Sequence, residues 1–448
     1  MMPTTCVVGL QWGDEAKARV LDVLSADADC VARSQGGNNA GHTVVIGGET
    51  FILHLVPTGV LRPQVLAVIG NGVVVDPKFL LEEVSELRRR GVEVGENLRL
   101  SDRAHLVMPY HRLFDGLAER RRGTGKIDTT MKGVGPCYAD KAARGGLRVG
   151  DLYQPDLFRE RLQAAVEEKN ALLRGLYDEP ELAWAPIYDE YMDCAQTLRP
   201  YVCNTEELLL GLLDQGKRVL LEGAQGTLLD IDHGTYPFVT SSNASVFGAM
   251  SGAGLPPHRI DQVVGVMKAY TTRVGAGPFP TELADELGER LRESGKEFGA
   301  TTGRPRRCGW LDLVAGRYSA RLNGVDCISL TKLDILSGLD TVKVCRGYRI
   351  GGEAIDSFPA ALNELETAEP VYEEFRGWPD DIGRARRFED LPAEARSYIE
   401  GVEEVVGVPI TMVCVGPERE QVILREDRQG RTGHTRREQS DRRGRRPN

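Results

Sequence analysis

The chain has 448 residues, of which 41% are hydrophobic and 27% charged, with a formal net charge of -10. That is a globular composition, long enough for a large core, and it marks no clean cut between domains. From Arg428 onward eight arginines stand against Glu438 and Asp441, so this tail carries +6 and the rest of the chain -16. An acidic body excludes a broad nucleic-acid face, and the tail reads as a solvated, disordered end.

The start, Met1-Met2-Pro3-Thr4-Thr5, lacks a basic stretch and a long apolar core, and no later run is apolar for long enough to span a bilayer. Nine cysteines lie between Cys6 and Cys414 without a Cys-x-x-Cys pair, which fits neither a zinc site nor a disulfide framework. A cytoplasmic protein with reduced thiols is expected, with no membrane and no nucleic-acid partner.

In chain order, Cys6-Val7-Val8, Val65 to Ile69, Val219 to Leu221, Cys327 to Leu330 and Met412 to Cys414 are short apolar runs, each ending in a glycine-rich or polar loop. They predict buried strands. Charged amphipathic stretches between them, Pro77 to Arg90 and Leu157 to Leu173, predict helices. The alternation implies an α/β fold: a large central, mostly parallel sheet with flanking helices and extended site loops, binding ligands at the carboxyl ends of its strands. One domain is expected over residues 1–425, with subdomain insertions, followed by the basic tail 426–448.

After the first strand, Gly9-Leu10-Gln11-Trp12-Gly13-Asp14-Glu15-Ala16-Lys17 runs into a helical pattern, Ala18 to Leu24. Backbone N–H groups at a helix start, together with Lys17, can cradle phosphates. The spacing is not Gly-x4-Gly-Lys-Ser/Thr, so the segment alone is equally compatible with an ordinary strand-to-helix turn. A second loop, Gln35-Gly36-Gly37-Asn38-Asn39-Ala40-Gly41-His42-Thr43, supplies backbone, amides and an imidazole together. His42 in that setting reads as a site residue rather than a satisfied core histidine, whereas His54, in the alternating run Phe51 to Val56, reads as a sheet position. Later, Thr331-Lys332-Leu333-Asp334 follows a strand and approximates the Asn-Lys-x-Asp pattern that reads guanine. A carboxylate there accepts from guanine N1–H and the 2-amino group, a pair of donors that adenine lacks; the bland alternative is a helix cap.

Four further blocks join these: Thr129-Thr130 through Gly133-Val134-Gly135-Pro136 with Asp140-Lys141, Arg144 and Gly146 to Asp151; Glu222 to Pro237; Thr272 to Glu282; and Gly299 to Arg304 with Arg306. Together, over roughly Val7 to Arg425, the chain resembles the adenylosuccinate synthetase family. The resemblance implies a P-loop-NTPase-like, homodimeric ligase that joins IMP and L-aspartate with GTP and Mg2+. It makes Asp14 the base for the purine N1 proton, His42 the acid on the transferring phosphoryl group and Gln225 a further catalytic residue. It gives Mg2+ to Asp14 and the Gly41 carbonyl. GTP falls to Gly13, Asp14, Glu15, Ala16, Lys17, Ala18, Arg19, Gly41, His42, Thr43 and Arg306, with Lys332, Leu333, Asp334, Cys414, Val415 and Gly416 around the base. The purine nucleotide falls to Asn39, Thr130, Gln225, Thr240 and Arg304, with Arg144 reaching from the partner subunit. Aspartate falls to Lys132, Ala300, Thr301, Thr302, Gly303, Arg304 and Arg306, since a guanidinium can fork onto a carboxylate.

The chain departs from that family at Ala16 and Ala18, where glycines are usual, and at Arg19, where lysine is usual. Asp128 and Met131 replace glycines, Lys132 an arginine, and Val246-Phe247 a stretch of small residues. Drift in an ordinary enzyme is one explanation. A specialised paralog using another purine-like nucleotide or amine donor, or an inhibitor-resistant copy, is the other. A non-catalytic regulator is disfavoured because Asp14 and His42 are both present.

Overall fold

The structure, a computed structural model, describes residues 2–123, 126–299, 303–379 and 381–425. Ten strands lie side by side in the order Val422–Leu424, Ile410–Cys414, Cys327–Thr331, Gln262–Lys268, Thr4–Gly9, Val219–Glu222, Cys30–Arg33, Leu66–Ile69, Leu98–Ser101 and Val202–Cys203. Every neighbouring pair is parallel except Ile410–Cys414 with Val422–Leu424. The sheet is therefore the large, mostly parallel one that the apolar runs predict.

Those runs form its middle because both of their faces are covered. The central strand β1 (Thr4–Gly9) is buried throughout. Cys6 and Val8 pack into a cluster with Met267, Trp310 and Tyr398, while Val7, pointing to the opposite face, meets Val20 and Leu21 of helix α1 (Lys17–Ser25). A separate core around Leu80, Leu100, Tyr110 and Phe158 covers the other end of the sheet.

Helix boundaries follow local chemistry. Helix α2 (Pro77–Arg89) begins where Asp76 accepts the Phe79 N–H at 3.2 Å, with proline in the first turn. It ends one residue before the expected Arg90. The helix expected over Leu157 to Leu173 spans Pro155–Leu172, again starting on a proline. Strand β2 (Cys30–Arg33) leads through a loop to the hairpin β3 (His42–Ile46) and β4 (Glu49–Leu53). His54 lies just past β4 rather than within it, because its N–H donates to Glu83, an acceptor outside the hairpin. Among the described residues no helix is long and apolar enough to cross a membrane.

Parallel strands release their following loops on one edge, and this collects the candidate residues. β1 feeds residues 10–16, β2 feeds 34–41, Val219–Glu222 feeds 223–226, Cys327–Thr331 feeds 332–334 and Ile410–Cys414 feeds 415–416. The parts of the site come from distant segments of sequence but leave neighbouring strands.

Candidate active site

The phosphate loop is held open from beneath. Glu15 is fully buried, and its Oε1 accepts the N–H groups of Gln11 and Gly13, both at 3.0 Å. Its Oε2 pairs with Lys17 Nζ at 2.5 Å, and that ammonium is only 4% exposed. The carboxylate of Glu15, a residue expected at GTP, is thus spent on the loop's own N–H groups and on Lys17, which leaves its backbone for a ligand. Glycine is required around it: a Cβ on Gly9 or Gly226 would lie 2.5 Å from the Glu15 carboxylate oxygens.

Gly13, Asp14 and Ala16 all have left-handed backbone, with φ of 82°, 59° and 61°. Ala16 therefore carries the Cβ penalty of that region. Ala18 is inside α1, where alanine is better than glycine, so only one of the two alanines is a strained replacement. Arg19 reaches away from the phosphate loop: it donates to the Glu418 carbonyl and lies near Asp334 and Cys414, on the side of the base-reading motif.

His42 opens β3 with its ring buried, and its Nδ1 is 2.5 Å from Glu222 Oε1. The other oxygen of Glu222 accepts the Thr58 N–H at 2.8 Å and its hydroxyl at 2.7 Å. Burial pushes the Glu222 carboxyl up, and His42 and Thr58 more than offset it, leaving the group below its ordinary range. An anionic Glu222 fixes the proton on Nδ1 and turns Nε2 toward the site. The preceding loop is pinned by Arg33, a buried guanidinium that donates to the carbonyls of Gly37 at 2.7 Å and Gln35 at 3.3 Å. Asn39 accepts the Gly37 N–H at 3.1 Å, Gly41 is half-buried and Thr43 is exposed on β3. Gln225 has φ of 58°, and its Oε1 is enclosed with no hydrogen-bond partner among the described residues. An orphaned acceptor of that kind fits a ligand donor.

Asp14 is held by Arg306: Nη2 donates to Asp14 Oδ1 at 2.8 Å, and Nη1 to buried Glu297 at 2.7 Å. In the base-reading motif, Thr331 donates to the Glu15 carbonyl at 2.7 Å, tying that motif to the phosphate loop. Burial raises the half-buried Asp334 carboxyl, opposed by Lys332 and Arg19, so two ligand N–H donors would relieve a real cost. Leu333, Cys414 and Val415, expected at the base, bury their side chains in the core, which leaves only their backbone for a ligand; Gly416 is half-buried beside them.

The loop bearing Thr130 and Lys132 hangs from helix α3 (Pro109–Arg122) through two carboxylates one turn apart. Asp115 accepts the Thr129 hydroxyl and the Gly133 N–H, both at 2.9 Å, and Glu119 accepts the Asp128 N–H at 3.0 Å. Asp128 and Met131 occupy left-handed backbone at φ of 64° and 54°, as expected where glycines usually stand. Arg304 Nη1 donates to the Asp128 carbonyl at 3.3 Å and reaches this loop from the far side. A cavity of about 410 Å3 opens here, lined by Arg112, Lys126, Met131 and Arg304 among others. Lys132 Nζ lies 5.6 Å over the Phe79 ring. Thr240 is half-buried, with its N–H on the Leu229 carbonyl at 2.9 Å. Arg144 is exposed, with φ of 68°, at the end of helix α4 (Val134–Ala143). Val246 is buried, whereas Phe247 is 47% exposed with its ring 6.0 Å from that of His233. Gly303 is exposed, and Ala300, Thr301 and Thr302 lie outside the described residues, as does the arginine-rich tail.

Sequence reasoning missed Glu222, Glu297, Asp115 and Glu119. Glu222 had a signal, an acid closing an apolar strand. The others acquire meaning only through partners far away in sequence.

The adenylosuccinate synthetase family model matches residues 6–423. An adenylosuccinate synthetase of Carboxydothermus hydrogenoformans is 54% identical over 423 residues, covering 94% of this chain and 99% of its own. That of Caldanaerobacter subterraneus is 52% identical, with 94% and 99% covered. The structure of fully ligated adenylosuccinate synthetase from Plasmodium falciparum superposes with a TM-score of 0.89 at 38% identity, covering 94% of this chain and 100% of that one.

Proposed function

This chain belongs to the adenylosuccinate synthetase family, and from that premise we propose how its residues divide the reaction. It is a GTP-dependent ligase that joins L-aspartate to IMP, giving adenylosuccinate, GDP and phosphate. The relatives give no support to a specialised substrate.

The ligation needs the purine O6 turned into a leaving group. The γ-phosphoryl group passes from GTP to O6 as the N1 proton leaves to Asp14, and the aspartate amine then displaces phosphate from C6. His42, held by Glu222, donates from Nε2 to the transferring phosphoryl oxygens. Asp334 and Lys332 hold guanine, while Arg304 and Arg306, with Lys132, bind the carboxylates of aspartate. Gln225, Asn39, Thr130 and Thr240 hold the purine nucleotide; the enclosed, unpartnered Gln225 Oε1 supports that assignment. Asp14 and the Gly41 carbonyl are hard oxygen donors, and the Asp14 side chain is 32% exposed at the loop mouth, so the pair fits Mg2+. Bound there, Mg2+ would neutralise charge on the phosphates.

One observation carries this reading: Arg306 lies on Asp14 at 2.8 Å, so a residue of the aspartate clamp meets the proposed base. The exposed placement of Arg144 at the end of α4 supports its reaching a partner subunit in a homodimer, and nine free cysteines support a cytoplasmic setting. The test is a product assay by mass spectrometry with GTP, aspartate and a panel of purine nucleotides. Adenylosuccinate from IMP is the expected product. Turnover of another nucleotide and none of IMP would refute the assignment.

A further inference from the structure

Beneath the site, three cations from separate segments converge on one carboxylate. Glu297 follows the helix Glu286–Gly295 and is fully buried. Its Oε1 accepts from Lys268 Nζ at 2.9 Å, from Lys332 Nζ at 2.7 Å and from the Tyr270 hydroxyl. Its Oε2 accepts from Arg306 Nη1 at 2.7 Å. Burial would raise this carboxyl, but Lys268, Lys332 and Arg306 hold it well below the ordinary carboxylate range, so it stays ionised.

The two oxygens face two different parts of the site. On one side Lys332 stands two residues before Asp334, in left-handed backbone at φ of 57°, and is 24% exposed. On the other side Arg306 passes the contact on to Asp14 at 2.8 Å. Lys332, Glu297, Arg306 and Asp14 thus form an unbroken run of hydrogen-bonded charges from the base-reading motif to the reaction centre. We propose that Glu297 is a positioning residue that couples the guanine pocket to Asp14, so that the placement of Lys332 on the base and of Arg306 on Asp14 depend on each other. The proposal rests on the assignment of Lys332 to guanine and Arg306 to the reaction centre. The simpler alternative is that Glu297 only neutralises buried cations. In that case Lys332 and Arg306 would act independently, since no direct hydrogen bond joins them.

A double-mutant cycle decides between these. Lys332→Ala and Arg306→Lys are made singly and together in the otherwise unchanged full-length enzyme, and again in a Glu297→Gln background, with kcat/KM for GTP as the readout. Coupling through Glu297 predicts that the double loss in the unchanged background departs from the product of the single losses by about threefold or more. In the Glu297→Gln background the losses should multiply. Simple multiplication in the unchanged background overturns the proposal, as does coupling that persists without the carboxylate, since that would mark direct repulsion between the cations. If Glu297→Gln does not fold, Glu297→Asp, too short to hold both partners, replaces it. A Lys332→Ala variant with unaltered KM for GTP would instead refute the assignment of Lys332 to the base.

Discussion

Replacing Glu222 by Gln removes one charge from the site and almost no volume. The carboxylate sits 2.5 Å from His42 Nδ1, with both side chains at least nine-tenths buried. A hydrogen bond from a ring N–H to a buried carboxylate is worth about 1.5–3 kcal/mol. The Gln oxygen can keep both Thr58 bonds, now at 2.8 and 2.7 Å. Its amide must then donate toward His42 Nδ1, which becomes an acceptor. The ring loses the anionic partner that orients it and holds a proton on Nδ1 while Nε2 faces the phosphoryl oxygens. If that interaction is lost in the transition state, about 1.5–3 kcal/mol, kcat falls roughly 10- to 150-fold. Because Glu222 has no exposed surface, KM for GTP, IMP and aspartate should each stay within a few-fold. The assay is steady-state kinetics on the variant, with thermal melting to confirm that it folds. A folded variant whose kcat falls less than about fivefold would refute the view that Glu222 holds His42 in its working orientation.

Other residues give sharp expectations. Ala16→Gly removes a Cβ from left-handed backbone, worth about 1–2 kcal/mol, against about 0.4–1 kcal/mol for the freer unfolded chain; a net gain of roughly 0.5–1 kcal/mol should appear in urea unfolding, with a lower KM for GTP. Asp334→Asn should shift preference from GTP toward xanthosine triphosphate, and unaltered GTP use in competition assays would remove Asp334 from the base pocket. Burial raises the Asp312 carboxyl to about 6, with the Tyr348 hydroxyl and backbone N–H groups opposing. A raised pKa means stability present at low pH and lost as pH rises through that value, so Asp312→Asn, which can still cap its helix, should abolish that loss. Urea unfolding at about pH 5 and about pH 7 should show the variant gaining about 1 kcal/mol on its parent over the interval.

The central strands were legible because Val, Ile, Leu and Cys covered on both faces leave uninterrupted apolar runs. The site loops were legible because strand ends must deliver them to one edge of a parallel sheet. Sequence could pose the question of Ala16 and Ala18 but not answer it, since the answer is a backbone angle: one is left-handed, the other helical. Nor could it tell that Glu15 points inward, that the Leu333 and Val415 side chains are buried in the core, or that Arg19 turns toward Asp334. Glu297 was invisible for a different reason. Its partners Lys268 and Lys332 lie 29 and 35 residues away, and nothing local announces a carboxylate waiting for them.

On the proposed mechanism, GTP activates the purine O6 before aspartate displaces it. IMP labelled with 18O at O6, turned over with GTP and aspartate and read by mass spectrometry of the phosphate released, tests it directly. The mechanism predicts that each phosphate carries one 18O atom drawn from IMP. Unlabelled phosphate alongside labelled IMP-derived water would contradict it, because phosphoryl transfer would then have gone to water rather than to the purine.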